Sequence, residues 1–258
     1  MNTVTIVLPV SRSEYLTRLF ASLEMLKCDS NKTNLLVIVD GKPELFVKVR
    51  NLVQESKFRE KLCIHFKSTH EIKHFDIGQR RLRISDIHNE IKQHIWDTNF
   101  VFGIEDDTLV PENALDKLLK DFLIYPHAGF IEGVELGRWG VPYVGAWRSD
   151  DIYDPKEIKS ILKKEQIEPI DAGGFYCFLS RLDTYESHDF KPYQNVLGPD
   201  VNYGMALRTQ GYENYIDWSI KCIHLNKDKE ISIFNTTPRV ITFKKNNKRW
   251  LQIIDRSI

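Results

Sequence analysis

The sequence predicts an α/β fold in which a mainly parallel central sheet is flanked by helices. Short runs rich in Val, Ile, Leu and Phe alternate with longer segments whose apolar residues recur at helical spacing. This alternation is typical of βαβ units, in which successive strands are parallel. At 258 residues, with 42% hydrophobic and 28% charged residues, the chain is long enough to bury a sizeable core.

The first elements follow this alternation in order. A β-branched run at 4–10 predicts a strand, and Ser11 is the predicted N-cap of the helix that follows it. Residues 35–40 predict a second strand, which ends in Asp40 before a glycine, and 62–66 predict a third. Three strands with helical segments between them indicate a nucleotide-binding type of sheet.

Three consecutive acids end the next strand. The apolar run 100–104 leads directly into Glu105, Asp106 and Asp107, and a helix is predicted from Pro111. In open α/β sheets, ligands bind at the carboxyl ends of the strands. Adjacent carboxylates repel one another unless a cation offsets the repulsion, and oxygen ligands suit Mg²⁺ or Mn²⁺. The alternative is that the acids only favour the helix dipole, which explains one acid and not three.

Glu-Asp-Asp-Thr-Leu-Val-Pro after an apolar strand resembles the DxD-type motif of the family-two glycosyltransferases with the GT-A fold, a Rossmann-like nucleotide-binding fold. The order of strands and helices over about 3–120 resembles the nucleotide-binding half of that fold. The resemblance implies that Asp107 binds a divalent metal, Mn²⁺ or Mg²⁺. It also implies that Asp106 and Glu105 assist in binding the donor.

The resemblance implies further donor-binding residues. The residues that follow the first strand would meet the nucleotide, and Asp40 would bind its base or ribose. Arg80 and Arg83 would approach the phosphates. Gly173 and Gly174 would lie beneath the donor sugar. Asp40-Gly41 is also an ordinary turn pair, and the arginines could form a solvated basic face. The residues concerned are Pro9, Val10, Ser11, Arg12, Asp40, Arg80, Arg83, Gly173 and Gly174.

Two residues in the second half complete the expected site. Gly198-Pro199-Asp200 resembles the Gly-Glu-Asp pattern of the family, which implies that Asp200 is the general base that deprotonates the acceptor hydroxyl. Pro199 departs from the pattern, and Asp200 could instead cap a helix. His224 ends the last predicted strand, where the resemblance implies a second metal ligand compatible with Mn²⁺; core packing is the alternative.

The expected domain spans 1–235, with a nucleotide-binding half at 1–120 and an acceptor half at 121–235. Residues 236–258 form a tail, predicted as a helix packed through Trp250, Leu251 and Ile254. The aromatic-rich segment 135–151 predicts a loop that either stacks on a ligand or folds back onto the sheet. A charged helix is predicted from Pro155.

Composition limits the partners and the compartment. Lys plus Arg equal Asp plus Glu at 36 each, so no global field attracts nucleic acid. Four scattered cysteines favour a reducing compartment, and no apolar segment approaches the roughly 20 residues of a membrane span. A cytoplasmic protein without membrane insertion is therefore expected.

The predicted function is a metal-dependent glycosyltransferase that moves a sugar from a UDP-, GDP- or TDP-linked donor to an acceptor hydroxyl, with inversion. The acceptor could be a saccharide, a protein or a hydroxymethylated DNA base. A nucleotidyltransferase is one alternative, although the loop after the first strand lacks that class's glycines. A noncatalytic sugar- or nucleic-acid-binding protein on the same scaffold is the other.

Overall fold

The computed structural model describes residues 2–68, 77–137, 143–148, 167–192, 197–226, 229–231, 240–245 and 248–254. The helices of these ranges are α1 Leu16–Met25, α2 Pro43–Glu55, α3 Ile77–His94, α4 Ala114–Ile124, α5 Leu182–Ser187 and α6 Pro199–Thr209, with a 3₁₀ turn at Ser30–Lys32. The strands are β1 Val4–Val10, β2 Thr33–Asp40, β3 Lys61–Phe66, β4 Phe100–Ile104, β5 Thr108–Leu109, β6 Ala128–Val134, β7 Leu136–Gly137, β8 Tyr143–Arg148, β9 Ile167–Ile170, β10 Ala172–Gly173, β11 Cys177–Arg181, β12 Glu213–Lys221, β13 Ile223–Asn226, β14 Lys229–Ile231, β15 Val240–Lys245 and β16 Lys248–Ile254.

The main sheet confirms the predicted α/β class. Its eight described strands lie in the order β3-β2-β1-β4-β11-β6-β12-β9. The first four are parallel neighbours, as are β6 and β12. Strands β11 and β9 run antiparallel to their neighbours. The part of the sheet formed by β3, β2, β1 and β4 is therefore wholly parallel, and the order departs from sequence order at β1 and β4, where α/β folds place ligands.

Helices cover both faces of this sheet, so its strands are apolar on both sides. On one face α1, α2 and α4 pack through residues such as Leu19, Val49 and Leu118. On the other face α3, α5 and α6 contribute Ile91, Tyr185 and Leu207, among other residues. Strand β4 supplies Phe102 to the first core and Val101 to the second, which confirms the predicted doubly buried strand.

Two smaller sheets extend the carboxyl side of the main sheet. Strands β14, β13 and β5 form one, and β10, β8, β16 and β15 form the other, with β7 beside β8. The predicted C-terminal helix is wrong, because β15 and β16 form an antiparallel pair and β16 continues onto β8. The β-branched run Val240-Ile-Thr favours a strand there over a helix.

The predicted loop at 135–151 is also partly strand. Residues 136–137 and 143–148 form β7 and β8, and Trp147 is buried against Ala172 and Val201. Trp147 has therefore folded back onto the protein. The helix predicted from Pro155 lies outside the described residues.

Ser11 does not cap α1. The helix begins at Leu16, with Tyr15 as the residue before it, and no side chain caps its first turn. Ser11 instead bonds to Asp106, which takes its hydroxyl away from the helix. None of the helices in the described ranges combines the length and the apolar composition that crossing a bilayer requires.

Candidate functional site

The acidic triplet lies where β4 ends, as predicted. The chain turns at Glu105, whose carbonyl accepts from the Thr108 N–H at 3.1 Å. Since β1 and β4 are parallel neighbours, the residues that follow β1 meet the residues that follow β4. Ser11 and Arg12 therefore lie against the triplet, and this contact is the centre of the candidate site.

Asp106 is held by the backbone and side chains after β1. Its Oδ2 accepts from the backbone N–H groups of Ser11 and Arg12 at 2.7 and 3.1 Å and from Ser11 Oγ at 3.2 Å. Its Oδ1 accepts from Arg12 Nε at 2.9 Å and from Arg12 Nη2. Asp106 is 3% exposed and has a full set of donors, so its main role is to fix the 11–12 segment against β4.

Asp107 meets His224, so the fold brings together the two residues that the sequence analysis proposed as metal ligands. Strand β13 pairs with β5, and the Leu225 N–H donates to the Asp107 carbonyl at 2.7 Å. This pairing brings His224 Nε2 to 3.0 Å from Asp107 Oδ2. On its other side, His224 Nδ1 lies 2.9 Å from Glu135 Oε1, and Thr108 Oγ1 donates to Glu135.

Charge neutralisation dominates the electrostatics of this cluster. Burial lowers the pKa of His224, but Glu135 and Asp107 outweigh it and raise that pKa to about 11. For Arg12, burial likewise lowers the pKa, and the Asp106 and Asp107 carboxylates produce a net rise. Burial, with the charges of Asp107 and Glu135, raises the pKa of Glu105 to about 8. Arg12 and His224 are therefore the cations that face the acids of this cluster, and the pKa of Glu105 lies well above its ordinary value.

The donor chemistry of Asp107 and His224 fits a divalent ion such as Mn²⁺. A carboxylate oxygen and an imidazole nitrogen face each other, and Glu135 holds the other ring nitrogen, as a carboxylate does behind a metal-bound histidine. In the described residues, however, no group of three His, Cys, Asp or Glu side chains is arranged to hold a metal. Arg12 Nη1 instead lies 2.7 Å from Asp107 Oδ2.

The predicted nucleotide-binding residues separate into two groups. Ser11 and Arg12 lie against Asp106, whereas Asp40 and Arg83 bind each other. Asp40, at the end of β2, is 4% exposed and is bound by Arg83, whose Nε reaches its carboxylate and whose Nη2 reaches its carbonyl at 2.8 Å. Arg80 lies on the first turn of α3 and is half-buried. Pro9 and Val10 end β1, and the Val10 side chain belongs to the core, so only their backbone faces the site.

The glycine pair Gly173-Gly174 packs against two buried side chains. A Cβ on Gly173 would lie 2.1 Å from Glu132 Oε2, and one on Gly174 would lie 2.3 Å from Tyr176 Cε1. The Gly174 N–H donates to Glu132 Oε2 at 2.7 Å. The protein interior therefore already requires glycine at both positions, whether or not a ligand approaches them.

Asp200 lies in the first turn of α6, where Gly198 is the residue before the helix. Its Oδ1 accepts from the Val201 N–H at 2.9 Å. Burial raises the pKa of Asp200 to about 6, against backbone hydrogen bonds and the charge of Arg81. The charge of Asp200 in turn helps to raise the pKa of Glu132 well above its usual range, although burial is the larger cause.

Sequence reasoning missed Glu135, Glu132 and Arg81. Glu135 follows Val134 at the end of a buried strand, the same position that Glu105 has after β4, and that signal was available. Glu132 lies inside β6 and is 0% exposed, so only the strand's packing reveals its contact with Gly174. Arg81 is one of four polar residues that open α3, and spacing does not distinguish it from Arg80.

No protein-family model and no curated protein sequence matches the chain. The mannosyltransferase PcManGT from Pyrobaculum calidifontis, in complex with GDP-Man and Mn²⁺, matches with a TM-score of 0.55 and 11% identity, over 84% of this chain and 56% of that chain. S. aureus TarS 1–349 matches with a TM-score of 0.52 and 12% identity, over 83% of this chain and 57% of that chain. A197 from STIV matches with a TM-score of 0.48 and 12% identity, over 89% of this chain and 90% of that chain.

The chain thus spans little more than half of the length of PcManGT and of TarS 1–349. At 11–12% identity, these likenesses concern the fold alone. The predicted fold class is confirmed: the protein has an α/β fold with a mainly parallel central sheet flanked by helices, and it shares that fold with a mannosyltransferase.

Proposed function

We propose that the protein is a glycosyltransferase that moves a sugar from a nucleotide-diphosphate sugar to an acceptor hydroxyl, assisted by a divalent metal ion. The observation that carries the proposal is the contact between Asp107 and His224, backed by Glu135, at the carboxyl end of β4. The mannosyltransferase that shares the fold was solved with GDP-Man and Mn²⁺, which supports the same classes of donor and metal here.

The residues of the site have separable roles in this proposal. Asp107 and His224 would hold the metal, and a bound ion there would offset the charge that develops on the departing nucleotide diphosphate. Asp40 and Arg83 form the nucleotide end of the site, after β2 and on α3. Arg80 lies near that end, on the first turn of α3, and can reach a phosphate with its guanidinium.

Asp200 is the general base. Its raised pKa, about 6, lets it stay ionised at pH 7 and still accept a proton from an acceptor hydroxyl as that oxygen attacks the anomeric carbon. Attack by an acceptor deprotonated by a separate carboxylate displaces the nucleotide directly, so the reaction inverts the anomeric configuration. The buried Glu132 supports Gly174 behind this position.

Ligand-dependent thermal unfolding tests the proposal. UDP-glucose, GDP-mannose and TDP-glucose are each added with Mn²⁺ or with EDTA, and at 100 times its Kd a donor stabilises the folded state by about 2.7 kcal/mol. At least one donor should raise Tm with Mn²⁺ and raise it less with EDTA. Asp107→Asn should lose the Mn²⁺-dependent part of the shift, because its carboxylate is the oxygen ligand.

Asp116→Asn is the matched control, since Asp116 is 51% exposed and pairs with Lys120 on the surface of α4. This variant should respond as the parent protein does. The proposal is wrong if none of the three sugar nucleotides raises the Tm of the parent protein, with or without metal.

A further inference from the structure

Arg12 occupies a position between the two acids that end the motif. Its Nε lies 2.9 Å from Asp106 Oδ1, and its Nη1 lies 2.7 Å from Asp107 Oδ2. A guanidinium is planar and can donate to two carboxylates at once, which an ammonium group does less well. Arg12 therefore neutralises both acids from within the chain.

The oxygen that Arg12 binds is the one that faces His224. Asp107 Oδ2 lies 2.7 Å from Arg12 Nη1 and 3.0 Å from His224 Nε2. A divalent ion held between Asp107 and His224 would lie within a few ångströms of the guanidinium, where two positive charges repel strongly. Arg12 and the metal therefore cannot both occupy Asp107 Oδ2.

Of the two cations on Asp107, Arg12 is the one whose side chain can move away, whereas His224 stays in place and must release its Nε2 proton to solvent before that nitrogen can bind a metal. The side chain of His224 is 8% exposed and is held from behind by Glu135. The Arg12 side chain is 26% exposed, so one part of it already faces solvent. Its backbone N–H can stay on Asp106 while the side chain moves. The Tyr15 ring, 5.8 Å from Arg12 Cζ, packs beside the guanidinium.

We propose that Arg12 is an internal cation that occupies the metal position of Asp107 until a divalent ion displaces it, and that the displaced guanidinium then binds the donor diphosphate. The inference rests on the proposed metal site and adds the residue that competes for it. It explains how the acidic motif folds without metal, because Arg12 offsets the repulsion between the acids. A guanidinium released beside the bound ion can donate to the phosphate oxygens of the donor.

The first test measures Mn²⁺ binding by calorimetric titration of the nucleotide-free chain. Arg12→Gln should bind Mn²⁺ about tenfold more tightly than the parent protein, because a charge-assisted contact no longer has to be broken. Arg59→Gln is the matched control: Arg59 is 59% exposed, pairs with Glu60 at 3.6 Å and should leave the affinity unchanged. Equal affinity of the parent and Arg12→Gln would overturn the inference and leave the proposed metal site intact.

If neither the parent protein nor Arg12→Gln binds Mn²⁺, both the inference and the metal-dependent part of the proposed function are wrong.

A second measurement uses the unmodified chain, so it does not depend on the folding of a variant. It also separates displacement of the Arg12 side chain from a simple change in charge. Phenylglyoxal labels accessible arginines, and peptide mass spectrometry gives the rate at each position. Mn²⁺ should raise the labelling rate of Arg12 several-fold and leave that of Arg59 unchanged; an unchanged or lower rate at Arg12 overturns the proposal.

Discussion

Asp200, which we propose as the general base, shows how the surroundings of one residue change its acid–base chemistry. An ordinary surface aspartate is too weak a base to take a proton from a hydroxyl efficiently at neutral pH. Burial raises the pKa of Asp200 to about 6, and its neighbours include the charge of Arg81 and the buried Glu132. The local environment therefore strengthens the base and still leaves it ionised above pH 6.

Asp200→Asn tests this role. The variant should lose about 10²-fold or more of the transfer rate, because an amide cannot accept the proton. The thermal shift produced by the donor should remain. In the parent protein, the rate should rise with pH through about 6, since only the ionised Asp200 is active.

The measurement is release of nucleoside diphosphate from the donor that thermal unfolding identifies, followed from pH 5 to pH 8. Asp189→Asn, at a side chain that is 77% exposed, is the control and should keep the parental profile. Parental activity in Asp200→Asn, or a rate that does not change between pH 5 and 7, would remove Asp200 from the mechanism.

At the scale of elements, helix α6 positions Asp200 through close packing on β10. Gly204 lies one turn after Asp200 along α6, and a Cβ there would lie 2.6 Å from Ala172 Cα and 2.9 Å from the Asp171 carbonyl oxygen. These are backbone atoms, which cannot rotate away. Asn214 adds a bond from its Nδ2 to the Gly204 carbonyl at 2.8 Å. The distance between α6 and β10 is therefore set by the absence of a side chain at 204.

Gly204→Ala should destabilise the protein. Helix propensity alone would favour alanine by about 1 kcal/mol, but overpacking against backbone costs about 1–3 kcal/mol. The second effect should win because the strand cannot move away, and displacement of α6 should lower the transfer rate as well. Urea unfolding measures the free energy of unfolding.

Gly41→Ala is the control for the stability measurement. Its Cβ would approach only the Leu45 side chain, at 2.8 Å from Cδ2, and that methyl group can rotate. This variant should change the free energy of unfolding by less than about 1 kcal/mol. A Gly204→Ala protein that is as stable as the parent or more stable would show that α6 has room to adjust.

At the scale of the whole molecule, the sequence predicted the parallel half of the sheet and not its far edge. Residues 4–10, 35–40 and 100–104 are buried on both faces, and 62–66 belong to the partly exposed edge strand β3; each gives a strand where one was expected. The triplet at the end of β4 was predicted for the same reason. Strand β16 pairs with its sequence neighbour β15 and with the distant β8, and the local pattern around Trp250 contains neither pairing, so it predicted a helix instead.

The positions of some candidate site residues could also be predicted, because those residues lie next to or within predicted strands. Asp107 directly precedes β5 and His224 lies within β13, and their meeting follows from the pairing of these two strands. The contacts of Arg12 with both acids, and of Glu132 with Gly174, arise from side-chain directions that no spacing rule contains. The sequence therefore predicted where the acidic residues of the candidate site lie along the chain. Which charged side chains contact one another could be seen only in the folded structure.

A second pair of acids, far from this site in the sequence, makes the stability of the whole chain depend on pH. Asp121 on α4 and Asp217 on β12 are 7% and 4% exposed and interact with each other. Burial, and then the charge and hydrogen bond of Asp217, raise the pKa of Asp121 to about 7. Ser219 donates to Asp217 from its N–H at 2.8 Å and from Oγ at 3.0 Å, so Asp217 already accepts two hydrogen bonds on its own strand.

Because the folded state binds this proton more tightly than the unfolded state, the contribution of Asp121 to stability is full below about pH 4 and is lost as pH rises to about 7. Asp121→Asn keeps a hydrogen-bond donor toward Asp217 and cannot ionise. It should therefore be about 1–2 kcal/mol more stable than the parent at pH 8 and nearly equal to it at pH 4 to 5. Urea unfolding at both pH values measures the difference, with Asp116→Asn as the exposed control on the same helix. Equal gains at both pH values, or a loss at pH 8, would show that the two acids do not share a proton.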